Sequence, residues 1–405
     1  MMSTSRISTL GTYQSSLAQI LAKQTALAKT QQQLASGSRL TTGADDPLAA
    51  GSATTMDRSI ARLAQYDKNA TSVQNRLNMQ ESALSQVNEL LSSARTLVVQ
   101  ANSDTMSSSD RAAIAKQIAS IKDQLVSLAN GTDGVGRYLF GGTDDGSLPF
   151  TTSAGSVAYN GNQTQRKVEV AGSQQVYDTI PGSQLFMQVR VGNGTATANA
   201  DNANTGQAVL LGYSVDDAAT WNGQTYKVVF DSETTYHVED GNGTLLTAAG
   251  SGSYTSGSDI SYGGVTLQVR GTPAAGDSMT LGPAGTRSVF DTLDELASAL
   301  TLTNADGSRS TEQSNRLQAS LQDLTTAEQH FIDARASGGA QLNAIDQATE
   351  SNASYTLAMK TSLSGLRDLD YAEAASRYSM DSTALQAAQT VFMQMQQSNL
   401  FKLIG

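Results

Sequence analysis

The sequence contains no cysteine among its 405 residues. A disulfide framework, a thiolate nucleophile and a metal site with cysteine ligands are therefore all excluded. The first residues carry neither a basic segment nor an apolar run, so no cleaved secretory signal is predicted. A membrane helix needs an apolar run of roughly 18 residues. The sequence has no such run, and we expect no membrane partner.

Charge is also scarce, at 16% of residues, and the formal net charge is -11. Nucleic-acid binding requires a basic stripe, so this class of partner is not expected. The two histidines, His237 and His330, lie in no zinc-binding pattern, and the sequence has no nucleotide-binding or serine-hydrolase motif. We therefore expect no catalytic residue, no metal and no cofactor. The sequence indicates a structural protein and not an enzyme.

Glycine and proline are concentrated in the middle of the chain. Residues 141–290 hold 23 of the 35 glycines, four of the five prolines and the single tryptophan, whereas the flanks are rich in Ala, Leu, Gln and Ser. Short β-type runs at 224–230 and 264–270 alternate there with turns. The pattern predicts the α+β class, with a small antiparallel β domain inserted into a discontinuous coiled coil or bundle of long N- and C-terminal helices.

We expect three regions. Residues 1–45 and 366–405 would form terminal polymerisation helices. Residues 46–180 and 285–365 would form a helical bundle with a β-hairpin region. Residues 181–284 would form an outer β domain.

The first flank carries apolar residues at coiled-coil spacing. The first seam ends at the glycines and proline of residues 36–47, where Asp46 and Pro47 are predicted to start a second helix. A third helix is predicted to end at Asn130 and Gly131. The first seam contains Leu10, Tyr13, Leu17, Ile20, Gln24, Leu27, Gln31 and Leu34, and the second contains Val73, Leu77, Gln80, Leu84, Val87, Leu91, Ala94 and Val98.

The second flank repeats this organisation. A continuous three-four register predicts one long helix, of about 70 Å or more at 1.5 Å per residue. Asp370 and Glu373 have the spacing of a capping box and predict the start of a last helix. The register of the long helix runs through Leu317, Leu321, Leu324, Phe331, Leu342, Ile345, Met359, Leu363 and Leu366.

Both chain ends lack charge over long stretches, namely residues 7–22 and 382–401. A solvated surface helix normally carries Lys, Glu and Arg on its outer face. These helices suit an environment made of other protein, so we expect them to pair and then to pack against further subunits. Ordinary bundle helices in a monomer are the other interpretation. The predicted polymerisation interface consists of Leu10, Leu17, Ile20, Leu27, Leu34, Leu385, Phe392, Met395, Leu400 and Phe401.

Several motifs, in this order along the chain, resemble those of the hook-associated protein 3 family within the flagellin superfamily. Residues 33–40 (QLASGSRL), followed by a turn of Ala44, Asp45, Asp46 and Pro47, are similar to the hallmark turn of flagellin-type N-terminal regions. Residues 181–285 show no match, and residues 1–5 precede the usual start of that family. The other similar segments are residues 6–9, 136–143 (GRYLFGGT), 288–293, 335–343, 368–373 and 398–401.

The resemblance implies a junction or adaptor ring between the hook and the filament of the bacterial flagellum, required for filament attachment and motility. It implies export by the flagellar type III apparatus, hence a transient cytoplasmic stage before an extracellular location. The implied partners are other copies of the chain, the first hook-junction protein, flagellin and a cytoplasmic export chaperone. Two alternatives remain at this point. One is a filament flagellin subunit, and the other is a surface glycan-binding protein that uses Trp221, Tyr226 and Tyr236, although core packing is favoured for these aromatic residues.

Overall fold

The computed structural model describes residues 9–103, 106–304 and 309–404, with side chains for residues 11–103, 106–304 and 309–396. Long helices form both ends of the chain, and strands occupy its middle. The helices in the described ranges are α1 (Thr9–Ser36), α2 (Pro47–Ala101), α3 (Ser108–Ala129), α4 (Ala218–Trp221), α5 (Val289–Thr301), α6 (Thr311–Arg367) and α7 (Tyr371–Ile404). The α+β class and the inserted β domain are therefore confirmed.

The predicted helix boundaries are confirmed at three caps. Helix α2 begins at Pro47, and the Asp46 carboxylate accepts a hydrogen bond from the Ala49 N–H at 3.0 Å. Helix α7 begins at Tyr371 with Asp370 in the same role, accepting from the Ala372 N–H at 2.9 Å. Helix α3 ends at Ala129, where Asn130 is the C-cap. Helix α6 has 57 residues, so at 1.5 Å per residue it is about 85 Å long.

The chain divides into two compact units. The first contains residues up to 68 together with those from 348 onward, and the second contains residues 69–347. Helices α2 and α6 each run through the division. The three-region division with boundaries at 45, 180, 284 and 365 stays a prediction.

Within residues 69–347, one hydrophobic core lies among α2, α3, α5 and α6. All eight positions of the second predicted seam are buried, which confirms the predicted face of α2. A single π-helical turn (Ser183–Met187) adds Leu185 and Phe186 to this core. Two antiparallel hairpins accompany it, β1 (Phe150–Ser153) with β2 (Ser156–Tyr159) and β3 (Lys167–Ala171) with β4 (Gln174–Tyr177).

The outer β domain follows, and the chain enters and leaves it through the antiparallel pair β5 (Val189–Arg190) and β14 (Thr286–Arg287). A five-stranded sheet has the order β10-β9-β8-β13-β6, and a three-stranded sheet has the order β11-β12-β7. Their strands are β6 (Ala196–Ala200), β7 (Val209–Val215), β8 (Tyr226–Phe230), β9 (Thr235–Asp240), β10 (Gly252–Ser253), β11 (Asp259–Tyr262), β12 (Val265–Arg270) and β13 (Ser278–Pro283).

A second hydrophobic core lies within these two sheets. The runs at 224–230 and 264–270 are strands β8 and β12, as predicted. Trp221 and Tyr226 are 4% and 7% exposed, and Tyr236 is half-buried. These aromatic side chains are therefore occupied in packing the domain, and the surface that the glycan-binding alternative requires is not formed by them.

Candidate polymerisation interface

Helices α1 and α7 lie antiparallel against each other. Near their far ends the rings of Tyr13 and Phe392 have centroids 5.1 Å apart. Closer to the turns that follow α1 and precede α7, the Lys23 ammonium lies 3.3 Å from the Asp381 carboxylate. The two chain ends therefore pair, as the uncharged spans predicted.

The turn after α1 and the turn before α7 are joined by main-chain hydrogen bonds. The Arg39 N–H donates to the Arg367 carbonyl at 2.6 Å, and the Leu369 N–H donates to the Gly37 carbonyl at 3.1 Å. The Arg39 guanidinium also donates to the Leu366 carbonyl, at 2.8 Å from its Nη2. Two motifs that are more than three hundred residues apart in sequence thus form one joint at the base of the helix pair.

Gly37 is required in this joint. Its φ is +68°, in the left-handed region that L side chains rarely adopt. A Cβ at this position would also lie only 2.8 Å from the hydroxyl of Tyr371. A larger residue would therefore strain the end of α1 and displace the exposed side chain of Tyr371.

The family-motif turn is held by Asp45. Its Oδ2 accepts hydrogen bonds from the Thr41 N–H at 2.9 Å, the Thr42 N–H at 2.9 Å and the Thr41 hydroxyl at 2.7 Å. The Lys29 ammonium lies 2.8 Å from Oδ1 and, with these donors, holds the pKa of the Asp45 carboxyl well below its usual range. Asp46 caps α2, while Ala44 and Pro47 are exposed. The turn thus orients the chain between α1 and α2.

The structure places the predicted interface residues in different surroundings. Ile20 is buried at 8% exposure, and Leu17 is exposed at 40%. The side chains of Leu10, Leu400 and Phe401 lie outside the described residues, although their backbones are helical. Of the predicted family start at residues 6–9, residues 6–8 lie outside the described residues entirely. Half-buried positions are Leu27, Leu34, Leu385, Phe392 and Met395.

The paired helices still expose large apolar side chains. Leu21 is 54% exposed, Met380 66%, Val391 62% and Met393 56%. The sequence prediction missed Leu21, Met380 and Met393, because they lie off the seam that pairs α1 with α7. The lack of charge in residues 7–22 and 382–401 is the signal for Leu21, Val391 and Met393, whereas Met380 lies beside Asp381 and outside these spans. Large apolar side chains exposed on these helices make them a candidate surface for protein–protein contact.

Within the described residues, no helix is both long and apolar enough to span a membrane. Among the same residues, no group of three or more His, Asp or Glu side chains could hold a metal ion.

Comparison with known proteins connects this geometry to a family. The model of the bacterial flagellin N-terminal helical region matches residues 7–145, and that of the C-terminal helical region matches residues 321–404. The FlgL crystal structure from Xanthomonas campestris is 44% identical, superposes with a TM-score of 0.70, and covers 76% of this chain and 99% of its own. The chain belongs to the FlgL family.

Two curated relatives of this FlgL-family chain, both named flagellar hook-associated protein 3, align with almost its whole length. The flagellar hook-associated protein 3 of Salmonella typhimurium is 27% identical over 398 residues, which is 98% of this chain and 99% of the relative. The flagellin of Clostridium tyrobutyricum is also 27% identical, but over only 45% of this chain and 48% of its own. These relatives are structural flagellar proteins and not enzymes.

Proposed function

We propose that this protein is a structural component of the bacterial flagellum that joins the hook to the filament. The observation that carries the proposal is the antiparallel pair of α1 and α7, whose outer surface exposes large apolar side chains and carries little charge. Such a surface is unfavourable in water and becomes favourable when other subunits cover it. Similarity to hook-associated protein 3 along 98% of the chain, against 45% for the flagellin, supports a junction protein over a filament subunit.

The attraction between subunits would come from the exposed apolar residues of the pair. Each side chain such as Leu21 or Val391 contributes roughly 1.5–3 kcal/mol when it is fully buried. Gln386 and Gln389, which are exposed on α7, can donate and accept hydrogen bonds without repulsion between identical subunits. The predicted interface from Leu10 to Phe401 would thus divide its work. Its half-buried members hold the pair together, whereas Leu17 and exposed residues outside the predicted set, such as Leu21 and Met393, contact the neighbours.

The remaining partners belong to the same proposal. Copies of this chain would form a ring that contacts the first hook-junction protein on one side and flagellin on the other. An export chaperone would hold the chain in the cytoplasm, and the type III apparatus would export it to its extracellular position. Support for this route comes from the family membership and the cysteine-free, weakly charged ends.

Deletion of residues 382–405 tests the proposal. We expect cells with this variant to be non-motile and to release their filaments into the medium, because α1 loses its partner. Electron microscopy would count hooks with attached filaments, and immunogold labelling of the parent protein should give one band at the hook–filament boundary. Labelling along the whole filament, or normal filament attachment by the truncated chain, would contradict the proposal.

A deletion can also prevent export, so a milder variant is needed. Leu21→Gln with Met393→Gln keeps both helices and removes only exposed apolar surface. Leu211→Gln, at a residue of the outer β domain that is 46% exposed, is the matched control. We expect the double variant to reach the medium in normal amounts but to lose filament attachment, while the control behaves as the parent.

A further inference from the structure

Helix α6 makes specific hydrogen bonds to the main chain of the outer β domain. The Asn315 Oδ1 accepts a hydrogen bond from the Leu210 N–H at 2.8 Å, and the Asn315 Nδ2 donates to the Ala208 carbonyl at 3.2 Å. The two groups lie on either side of Val209, the first residue of β7. The side-chain amide of Asn315 therefore takes the place that the main chain of a neighbouring strand would have.

A second pair of side chains binds one residue of the domain in the same way. The Asp323 Oδ1 accepts the Gly192 N–H at 2.5 Å, and the Thr326 hydroxyl donates to the Gly192 carbonyl. Gly192 has a φ of +64°, and a Cβ there would lie 2.1 Å from the Ala196 carbonyl oxygen. The turn between Val191 and Ala196, which presents the Gly192 main chain to α6, therefore depends on glycine at this position.

Asp323 also reaches the strand that returns from the domain. Its Oδ2 lies 3.1 Å from the Arg287 guanidinium, and Arg287 is in β14. Gly192 follows β5, the outgoing strand. One carboxylate thus holds both crossings of the chain between helix and domain. Burial raises the pKa of the Asp323 carboxyl, whereas the hydrogen bond from the Gly192 N–H and the positive charge of Arg287 lower it by less.

Apolar packing is sparse along this contact. Asn315, Asp323 and Thr326 fall within one face of α6, and Ala319 lies between them. Cavities of about 350 Å³ and 230 Å³ meet at Asn315 and Ala319. Since open space borders the contact, close packing of apolar side chains cannot by itself define the angle of the domain. The hydrogen bonds are the directional element that remains.

We propose that Asn315, Asp323 and Thr326 form a mount on α6 that fixes the orientation of the outer β domain by binding its main chain. The mount acts between the helix and the domain within residues 69–347. It is independent of the polymerisation role proposed for the terminal helices. With the mount in place, the outer β domain keeps one orientation relative to α6. Without it, the two chain crossings at β5 and β14 would act as a hinge.

The absence of cysteine makes a direct test simple, because two introduced cysteines can be labelled without background. Spin labels can be placed at Ser127, which is exposed on α3, and at Gln268, which is exposed on β12. They report the distance between helix α3 and the outer β domain. We expect one narrow distance in the parent chain and loss of that single peak in the double variant Asn315→Ala with Thr326→Val. Gln318→Ala, which lines the smaller cavity without a hydrogen bond to the domain, is the control and should keep the peak.

Hydrogen exchange separates loosening of the mount from unfolding. In the single variant Asn315→Ala, exchange of the Leu210 amide should be several-fold faster, while the amides of central strand β8 keep their protection. A double variant that retains the parent distance distribution, with the Leu210 amide exposed to exchange, would overturn the proposal. Faster exchange throughout β8 would likewise count against it, because the domain itself would then be unstable.

Discussion

Phe186 lies at the centre of an aromatic cluster that joins four other parts of the chain. Its ring centroid is 5.4 Å from that of Phe140, 5.3 Å from Phe150, 5.9 Å from Phe290 and 5.3 Å from Phe331. Aromatic pairs at these distances add to the free energy of burial. Phe140 and Phe290 lie in recognised motifs, but Phe186 belongs to no local pattern. The sequence alone therefore gave no reason to place it in the core.

Substitution of Phe186 tests how much its ring contributes to the stability of the core. We expect Phe186→Ala to lower the free energy of unfolding by about 3–5 kcal/mol, because it removes a fully buried ring and leaves a cavity among four others. Urea unfolding followed by circular dichroism would measure the change. Leu148→Ala, at a position that is 45% exposed, is the control and should change little. A small loss at Phe186 would mean that the cluster closes over the gap.

His237 lies between two carboxylates in the outer β domain. Its Nδ1 is 2.9 Å from the Asp231 Oδ1, and its Nε2 is 3.4 Å from the Glu239 Oε1. The hydrogen bond with Asp231 raises the pKa of His237, burial opposes it, and Glu239 adds a smaller increase. Asp231 also accepts the Gly250 N–H at 2.7 Å, so the cluster holds the loop before β10.

This geometry gives stability a defined dependence on pH. The pKa of His237 is higher in the folded chain than its ordinary value near 6.5, so its contribution is complete below that value. It is lost as pH rises through the higher, folded pKa, where neutral imidazole can donate to only one of the two carboxylates. We expect the free energy of unfolding to fall as pH rises above about 6.5 and through the raised pKa of folded His237. The free energy of unfolding of His237→Gln, measured with urea, should lack this dependence on pH. That of His330→Gln should keep it.

At the scale of elements, periodicity predicted the helices well and the sheets only in part. The seam from Val73 to Val98 is buried at every predicted position, because a helix repeats its buried face within a few residues. Strand pairing is different. Met279 pairs with Ala200 on one side and with Val228 on the other, and nothing local relates these residues. The order of the strands, and with it the contact of β7 with α6, could not be predicted.

The same limit applies to the candidate interface. Spacing placed Ile20 on the apolar face of α1 and Phe392 on that of α7, but it did not show whether these faces meet each other or a neighbouring subunit. The structure shows that the predicted seam is largely used within the pair of α1 and α7. The outward face contains Leu21 and Met393, which sequence periodicity did not select. Only the missing charge, a property of whole spans, indicated that this face exists.

At the scale of the molecule, apolar burial is distributed unevenly. Within the part of the chain that the structure describes, both hydrophobic cores lie in residues 69–347. In α1 and α7, by contrast, Ile20 and Ala374 are the apolar side chains recorded as buried. Local opening costs little free energy where few apolar contacts must be broken. In the free chain, the pair of α1 and α7 should therefore open far more often than the two hydrophobic cores of residues 69–347.

Hydrogen exchange followed by mass spectrometry can measure this difference. In the free monomer we expect peptides from α1 and from residues 371–396 to exchange far faster than those covering 84–98 and 317–331. In isolated flagella the same terminal peptides should become protected, because neighbouring subunits would bury their exposed apolar faces. Residues 84–98 serve as the internal control, since their burial does not depend on assembly. Equal protection of the terminal helices in both states would mean that the pair is complete in the monomer and that its outer face is not where subunits meet.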